Sequence, residues 1–373
     1  MRFGIDQTQQ WQRLLEGKRA GLITNPTGVD SALESDIDRL LPYLGCLFGP
    51  EHGIRAVAQD ELAVEHGRDE RTGLVEYSLF GSVTSPTADM LKGLDLLIFD
   101  IQDVGVRFYT YGATMALSMQ AAARAGIGFV VLDRPNPLGS RAEGLIRGES
   151  FRSFLSFAPV CTRHGLTMGE LALLIKEWLG LDLALTVIPV EGYDGAPMEE
   201  DGRWVPPSPN MPSMSTVRVY PGTCLVEGTN VSEGRGTTKP FEWIGAPWIN
   251  GRHLADRLNE KRLPGCWFRP ISFTPLAFKH AGQLCHGVQV HVTDRRALQP
   301  VRMGITLIRT LQACSGSHFS WRYLPEYGHY MVDLLHGDDS LRKGAPLEEI
   351  EERMEADERA FQRTASRFQI YGS

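Results

Sequence analysis

Short apolar segments that alternate with helical segments constrain the fold of the first half of this chain more than any other feature. Four apolar segments lie at residues 19–24, 45–49, 95–100 and 128–133. Helical patterns occur at residues 1–16, 35–44, 86–93, 114–125 and 167–180. Continuous apolar strands that alternate with helices are typical of a parallel sheet covered by helices on both faces. Together with a fifth strand predicted at 183–190, they indicate an α/β, Rossmann-like domain.

The pattern changes after residue 250. Residues 266–278 and 287–294 alternate between apolar and polar side chains, which is typical of antiparallel strands. Further helices are predicted at residues 251–261, 301–315 and 346–368. We therefore predict two domains, a Rossmann-like domain at 1–205 and a smaller α+β domain at 206–373 that closes a cleft over it. Clefts between domains are frequent ligand sites.

Composition and motifs exclude several classes of function. The net charge of −7 and the absence of a basic block argue against nucleic acid as a partner. No apolar segment reaches the roughly 18 residues of a membrane span, so we expect no membrane insertion. The six cysteines form no CxxC pair, and neither they nor the histidines have the spacing of metal ligands. The chain also lacks GxGxxG and GxxxxGK[ST], which weakens a dehydrogenase or nucleotide hydrolase interpretation.

The N-terminus lacks the apolar segment of a signal peptide, which predicts a cytoplasmic protein. A leader removed from a longer precursor would instead place the protein in the periplasm or outside the cell. Nothing in the residue pattern fixes the oligomeric state.

Polar side chains gather where the predicted parallel strands end. They are Asn25, Glu51, His52, Asp100, Asp103, Asp133, Arg134 and Asn136. In open α/β sheets, ligands bind in the crevice outside the carboxyl ends of the strands. A single polar residue at such a place is usually a helix cap, but four successive strand ends favour a binding site.

Glu51 is the sharpest single candidate for chemistry. It lies in the sequence Gly-Pro-Glu-His-Gly at residues 49–53, where proline and glycine hold a rigid turn after the second strand. A carboxyl group that is partly shielded from water there can act as a general acid. The alternative is a structural role, as a helix cap or as the partner of Arg55.

The third strand leads into a second group of polar side chains. Asp100 and Asp103 are candidates to orient a catalytic acid or to bind hydroxyl groups, and Arg107 could bind a carboxylate with two hydrogen bonds. Tyr109 and Tyr111 could donate hydrogen bonds or form a platform for a ring. The alternative is an internal pair between Asp and Arg, with both tyrosines in the core.

His164 lies just before a predicted helix N-terminus. Thr167 and Glu170 fit the capping box that starts such a helix, so His164 occupies a place where anions often bind. Because a single histidine is more often structural than catalytic, it is a secondary candidate.

Residues 201–248 form a long segment rich in proline, glycine and aromatic residues, which we predict to be an ordered loop without a helix. Its centre, residues 227–237, combines small residues with polar ones, among them Asn230, Glu233 and Arg235. Aromatic faces beside such polar groups suit a sugar ring. The alternative is a surface loop whose aromatic side chains fill a core.

Several long motifs resemble the NamZ-type exo-β-N-acetylmuramidases. They are PEHG (50–53), SLFGSVTSPT (78–87), FDIQDVGVRFYTY (99–111), LDRPNPLG (132–139), TRHGLTMGELA (162–172), PSPNMPS (207–213), YPGTCLVEGTNVSEGRGT (220–237) and PFEWIGAPW (240–248). The resemblance implies a Rossmann-like domain and a smaller C-terminal domain, with the active site between them. It implies release of N-acetylmuramic acid from the non-reducing end of peptidoglycan fragments, without a metal or organic cofactor. It also implies that Glu51 is the catalytic glutamate.

These observations lead to an assignment of roles. Glu51 is predicted to be the general acid, with Glu233 or Asp103 as its partner, and Arg107 or Arg235 to bind the lactyl carboxylate of muramic acid. The other predicted substrate-binding residues are Asn25, His52, Asp100, Tyr109, Tyr111, His164 and Asn230. A non-catalytic, two-domain protein that binds muropeptides or sugars is the main alternative, and retaining, inverting and substrate-assisted mechanisms stay open. An esterase or amidase is disfavoured because the sequence has no GxSxG elbow.

Overall fold

The computed structural model describes residues 1–55, 67–199 and 203–372. The strands in these parts of the chain are β1 (Ala20–Thr24), β2 (Leu44–Gly49), β3 (Gly67–Arg68), β4 (Val75–Ser78), β5 (Leu96–Asp100), β6 (Gly128–Leu132), β7 (Glu143–Ile146), β8 (Cys161–Arg163), β9 (Leu185–Ile188), β10 (Trp243–Ala246), β11 (Cys266–Phe273), β12 (Cys285–Val292), β13 (Tyr323–Leu324) and β14 (His329–Tyr330). The α-helices are α1 (Thr8–Leu15), α2 (Asp36–Leu40), α3 (Tyr111–Ala125), α4 (Met168–Trp178), α5 (Met214–Thr223), α6 (Gly251–Asn259), α7 (Pro300–Ser315), α8 (Met331–His336), α9 (Ser340–Lys343) and α10 (Leu347–Ala365).

A seven-stranded sheet forms the centre of the first half. Its order is β3-β4-β2-β1-β5-β6-β9, and every neighbouring pair except β3–β4 is parallel. The six parallel strands thus follow the chain order 3-2-1-4-5-6 of a Rossmann fold, with the reversal between β1 and β5. The predicted α/β, Rossmann-like fold is confirmed.

Both faces of the sheet are buried, which explains the continuous apolar strands. Leu22 of β1 and Ile98 of β5 belong to one apolar cluster, whereas their chain neighbours Ile23 and Phe99 belong to the other. Successive side chains of a strand point to opposite faces, so a sheet covered on both sides requires an apolar residue at every position.

The predicted start of α4 is also confirmed, because Thr167 forms the capping box.

The second half contains the predicted antiparallel strands. The order is β10-β12-β11, and α6 packs on this three-stranded sheet. The last helix, α10, returns to the first half, where carboxylates of Asp357 and Glu358 accept hydrogen bonds from the backbone of β7. No helix in the described parts of the chain has the length and apolar character that a membrane span requires.

Two elements differ from the sequence predictions. Residues 86–93 form turns and not the predicted helix. Conversely, α5 is a helix inside the segment that was predicted to contain none, with Pro221 in its last turn. Close packing of α5 against α7 explains this helix. Gly222 lies so near the start of α7 that a Cβ atom in its place would be 1.8 Å from the carbonyl oxygen of Pro300. Tight packing between α5 and α7 stabilises a helix that local propensity disfavours.

Candidate active site

A cleft of about 740 Å³ lies between the two halves of the chain. The first half contributes the turn after β2, the residues before α3 and a phenylalanine pair, Phe80 and Phe154. The second half contributes residues 227–241, the loop between β11 and β12, and the segment around β13. This volume is in the range of small-molecule sites.

Glu51 follows the carboxyl end of β2 and lines the cleft, as predicted. Its neighbour His52 has a φ of 74°, in the left-handed region that costs a non-glycine residue about 1–3 kcal/mol. Such conformations persist where the surrounding structure imposes them, and they cluster at functional sites. The Glu51 carboxylate accepts a hydrogen bond of 2.7 Å from the hydroxyl of Thr110 through its Oε2.

Two further carboxylates reach the cleft from residues 227–237, which we call the cleft loop. Glu227 and Glu233 are both buried, and Arg235 contacts both of them. Nε of Arg235 is 2.8 Å from Oε1 of Glu227 and 3.5 Å from Oε1 of Glu233. The guanidinium also lies over the ring of Phe241, at 5.1 Å from its centroid. The cleft loop therefore presents an ordered cluster of two acids and one cation.

Burial changes the protonation of this cluster. Burial first, and then the charge of Glu233, raises the pKa of Glu227 to about 8. Burial lowers the pKa of Arg235 to about 10, so the guanidinium stays charged at neutral pH. The charge of Glu51 acts on both groups, which places the carboxylates of the two halves within electrostatic reach of one another. A pair of carboxyl groups with different environments is the basis for acid and base roles in one site.

Lys279 and Arg322 add cations to the same cleft. The ammonium of Lys279 is 2.8 Å from Oε2 of Glu233. Arg322 is exposed on the cleft wall, and its charge acts on both Glu227 and Arg235. An anionic group on a ligand would therefore meet positive charge on this side of the cleft.

Aromatic rings form part of the cleft surface. Tyr109 packs edge-to-face against Tyr111 at 5.0 Å and against Tyr220 at 5.8 Å, and Tyr220 packs against Phe241 at 4.7 Å. Such edge-to-face arrangements are favourable for aromatic pairs. Tyr109 and Tyr111 border the cleft but are largely buried, as in the alternative of core tyrosines, and their role as a platform for a ring stays a prediction.

The structure does not bring several predicted residues to the cleft surface. Arg107 is buried, and its guanidinium donates to the backbone carbonyls of Leu145, Val160 and Leu335. The prediction that Arg107 binds a substrate carboxylate is wrong, because its guanidinium donates to backbone carbonyl groups and does not line the cleft. Asp100 is fully buried and forms an ion pair with Arg134 at 2.5 Å, so it too has a structural partner.

Asp103 and His164 also lie away from the cleft. They line a separate internal cavity of about 10 Å³, and the Asp103 carboxylate accepts a hydrogen bond of 2.6 Å from the backbone of Gly105. Burial raises the pKa of Asp103 to about 7 and lowers the pKa of His164 to about 3. His164 is therefore neutral at pH 7, with its Nδ1 accepting from the Leu166 backbone at 3.2 Å. Both positions correct the predicted roles in catalysis and substrate binding.

Asn25 and Asn230 hold loops together. Asn25 accepts from the backbone and the hydroxyl of Thr27. Asn230 donates to the carbonyl of His318 at 2.7 Å and accepts from the backbone of Ser320 at 3.0 Å. These amides do not line the cleft, which corrects their predicted contact with substrate.

No role was predicted from the sequence for Thr110, Lys279 and Arg322, which line the cleft, and Glu227 was singled out only within the polar segment 227–237. Thr110 lies in the motif at 99–111 and Glu227 in the motif at 220–237, so their place in these motifs could have indicated a role. Lys279 and Arg322 lie far along the chain, where no pattern marks them. Within the described residues, no group of three or more His, Cys, Asp or Glu side chains could hold a metal ion.

The chain is similar to known proteins over nearly its whole length. The chain matches the model described as exo-β-N-acetylmuramidase NamZ, N-terminal, at residues 20–215, and the C-terminal model of the same name at residues 218–371. It is 44% identical to the peptidoglycan β-N-acetylmuramidase NamZ of Bacillus subtilis (strain 168), over 99% of this chain and 91% of that protein.

Two crystal structures of proteins named as DUF1343 family members, both from Bacteroides fragilis NCTC 9343, have the same fold. One is 34% identical with a TM-score of 0.88, and the other is 30% identical with a TM-score of 0.80. Each comparison covers 99% of this chain and 98% of the other.

Proposed function

The chain belongs to the NamZ family of exo-β-N-acetylmuramidases, and we propose that it releases N-acetylmuramic acid from the non-reducing end of peptidoglycan fragments. One observation carries this proposal. Carboxylates from both halves of the chain line one cleft, with Glu51 on one side and Glu227 and Glu233 on the other. Most glycoside hydrolases use a pair of carboxyl groups that flank the scissile bond.

Glu51 is our general acid. Its Oε2 accepts from Thr110, which supports a fixed orientation of the carboxyl group toward the leaving oxygen. Glu233 is the partner, as nucleophile or as the base that activates water. Its contacts with Lys279 and Arg235 support the ionised form that either role requires.

The lactyl ether distinguishes muramic acid from glucosamine and carries a carboxylate. A guanidinium is the best complement, because it can donate two parallel hydrogen bonds. Arg235 is a candidate on the cleft, although it already contacts two glutamates. Arg322 is our second candidate, because its side chain is exposed on the cleft wall beside this cluster.

Turnover of matched chromogenic substrates tests the proposal. The purified protein is incubated with an aryl β-N-acetylmuramide and with the corresponding β-N-acetylglucosaminide, and release of the phenol is followed. We expect release from the muramide alone. N-acetylmuramic acid bound tightly, with no release from either compound, would instead favour a non-catalytic binding protein.

The disaccharide with muramic acid at its non-reducing end tests which sugar the enzyme releases. Incubation should yield the two free monosaccharides, which chromatography separates. The control is a disaccharide of the same two sugars in reversed order, with glucosamine at the non-reducing end, and it should remain intact. Cleavage of the control would contradict the proposed specificity.

A further inference from the structure

The loop between β11 and β12 lies directly against the cleft loop. The backbone of Leu276 donates to the carbonyl oxygen of Gly236 at 2.9 Å. Nε2 of His280 is 2.8 Å from the carbonyl oxygen of Asn230. The two segments are therefore joined at Asn230 and Gly236 of the cleft loop, and Lys279 lies between Leu276 and His280 in the other segment.

Lys279 is the central contact between the two segments. Its Nζ lies 3.1 Å from the carbonyl oxygen of Val226, 3.2 Å from that of Glu227 and 3.1 Å from that of Val231. The fourth acceptor is Oε2 of Glu233, at 2.8 Å. An ammonium group has three hydrogens to donate, so its donors are fully used by the cleft loop and the residue before it.

The backbone around Lys279 is held in an unfavourable conformation. Phe278 and His280 have φ values of 63° and 59°, both in the left-handed region. Each costs a non-glycine residue on the order of 1–3 kcal/mol. One such residue on each side of Lys279 indicates that the surrounding contacts fix where its ammonium group lies. Phe278 itself lines the cleft, with the guanidinium of Arg235 5.6 Å from its ring centroid.

Lys279 is the nearest cation to Glu233 among the described residues. The titratable groups that act on this cluster are Glu51, Cys224, Glu227, Glu233, Arg235, Lys279 and Arg322. Arg235 is 3.5 Å from Glu233 and closer to Glu227, whereas Lys279 contacts the carboxylate of Glu233 alone. The positive charge of Lys279 is therefore the one that pairs most directly with the Glu233 carboxylate.

We propose that Lys279 is a positioning residue that keeps Glu233 ionised and fixes its carboxylate for the reaction. Lys279 binds Oε2, which leaves Oε1 as the oxygen with the weaker contact and the one able to act on substrate or water. The inference rests on the proposed function, because an ionised Glu233 is needed only if this carboxylate is a base or a nucleophile. Lys279 does not itself transfer a proton.

The pH dependence of the reaction tests this role. For Lys279→Met we expect the acid limb of the kcat/KM profile for the aryl muramide to move upward by about 1–3 pH units, because an opposite charge at this distance has an effect of that size. Lys279→Arg keeps the charge and should return the limb toward its original position. Lys239→Met is the matched control, since Lys239 pairs with Glu242 and does not line the cleft.

A measurement without turnover separates this proposal from the proposed function. In protein labelled with ¹³C at the glutamate carboxyl carbons, the signal of Glu233 is identified by its loss in Glu233→Gln. Its titration midpoint should move upward in Lys279→Met and stay close to the wild type in Lys279→Arg. If Lys279→Met does not fold, Lys279→Gln replaces it, because the amide can still donate to the carbonyl groups.

An unchanged midpoint and an unchanged acid limb would overturn the proposal, even if activity falls, because Lys279 would then only join two loops. A shifted midpoint in a protein that releases nothing from the muramide would support the role of Lys279 and contradict the proposed function instead.

Discussion

Polar residues at the strand ends of the parallel sheet and those of the cleft loop look equally promising in the sequence, yet their surroundings differ. Asp100 of β5 is paired with Arg134 inside the first half and never reaches the cleft. Glu233 of the cleft loop also has cationic partners, but it lines the cleft. Among the described strand-end residues, Asn25, Asp100 and Asp103 are held by contacts within the first half, whereas Glu51 and His52 line the cleft. A polar residue at a strand end is therefore a functional candidate only if local partners do not use up its hydrogen bonds.

The largest effect is expected at Glu51. Glu51→Gln should lower kcat/KM for the disaccharide by about 10²–10⁴-fold, the usual contribution of a general acid. The loss should be smaller for an aryl muramide, because a phenol leaves more readily without protonation. Steady-state rates on both substrates measure this difference. Glu191→Gln, an exposed carboxylate that pairs with Arg2, is the control. Equal losses on both substrates would move Glu51 to the role of nucleophile or base.

The next effect concerns stability and not catalysis. Asp100→Asn leaves Arg134 buried without its charged partner, and breaking a buried pair costs about 3–5 kcal/mol. Urea unfolding should show this loss, while kcat of the folded variant stays near the wild type. Asp38→Asn removes an exposed pair with Arg71 and should cost at most about 1 kcal/mol. A selective fall in kcat for Asp100→Asn would return the strand end of β5 to the active site.

A smaller effect is expected for the choice between sugars. Arg322→Ala should reduce the preference for muramide over glucosaminide by roughly 10- to 100-fold, as expected for a lost hydrogen bond to a charged group of about 1.5–3 kcal/mol. The ratio of the two kcat/KM values measures this preference. Arg107→Lys serves as the comparison, because Arg107 lies among backbone carbonyls and should alter stability without altering the ratio. An unchanged ratio for Arg322→Ala would leave Arg235 as the remaining candidate.

The parallel sheet could be predicted because its signal is local. Strands buried on both faces must be apolar at every position, and the ends of β1, β2, β5 and β6 follow directly from where those apolar segments stop. The start of α4 was equally local, since a capping box spans only four residues. Glu51 could be identified as a cleft residue for the same reason, because its turn immediately follows β2.

The remaining parts depend on contacts between residues far apart in the chain. The helix α5 exists because Gly222 packs against α7, about 80 residues further on, and local propensity gives no sign of it. Lys279 and Arg322 join the cleft from segments that show no pattern of their own. Arg107 was misassigned for a related reason, since its partner Leu335 is 228 residues away. Sequence patterns locate a strand end, but they do not reveal which side chains are already bound there.

The smallest effect on activity is expected for Asp103, and it tests the comparison most directly. Asp103→Asn should leave kcat close to the wild type, because the carboxyl lies in an internal cavity and not on the cleft. Its effect should appear in stability. Burial raises the pKa of Asp103 to about 7, so the wild type loses stability as the pH rises from about 4 to 7 and this carboxyl ionises. The asparagine variant does not titrate there, so its free energy of unfolding relative to the wild type should rise over the same interval. Urea unfolding at pH 4, 5.5 and 7 measures this slope. A difference in the free energy of unfolding that does not change with pH would contradict the buried environment of Asp103. A large fall in kcat would mean that this strand-end carboxylate takes part in the chemistry.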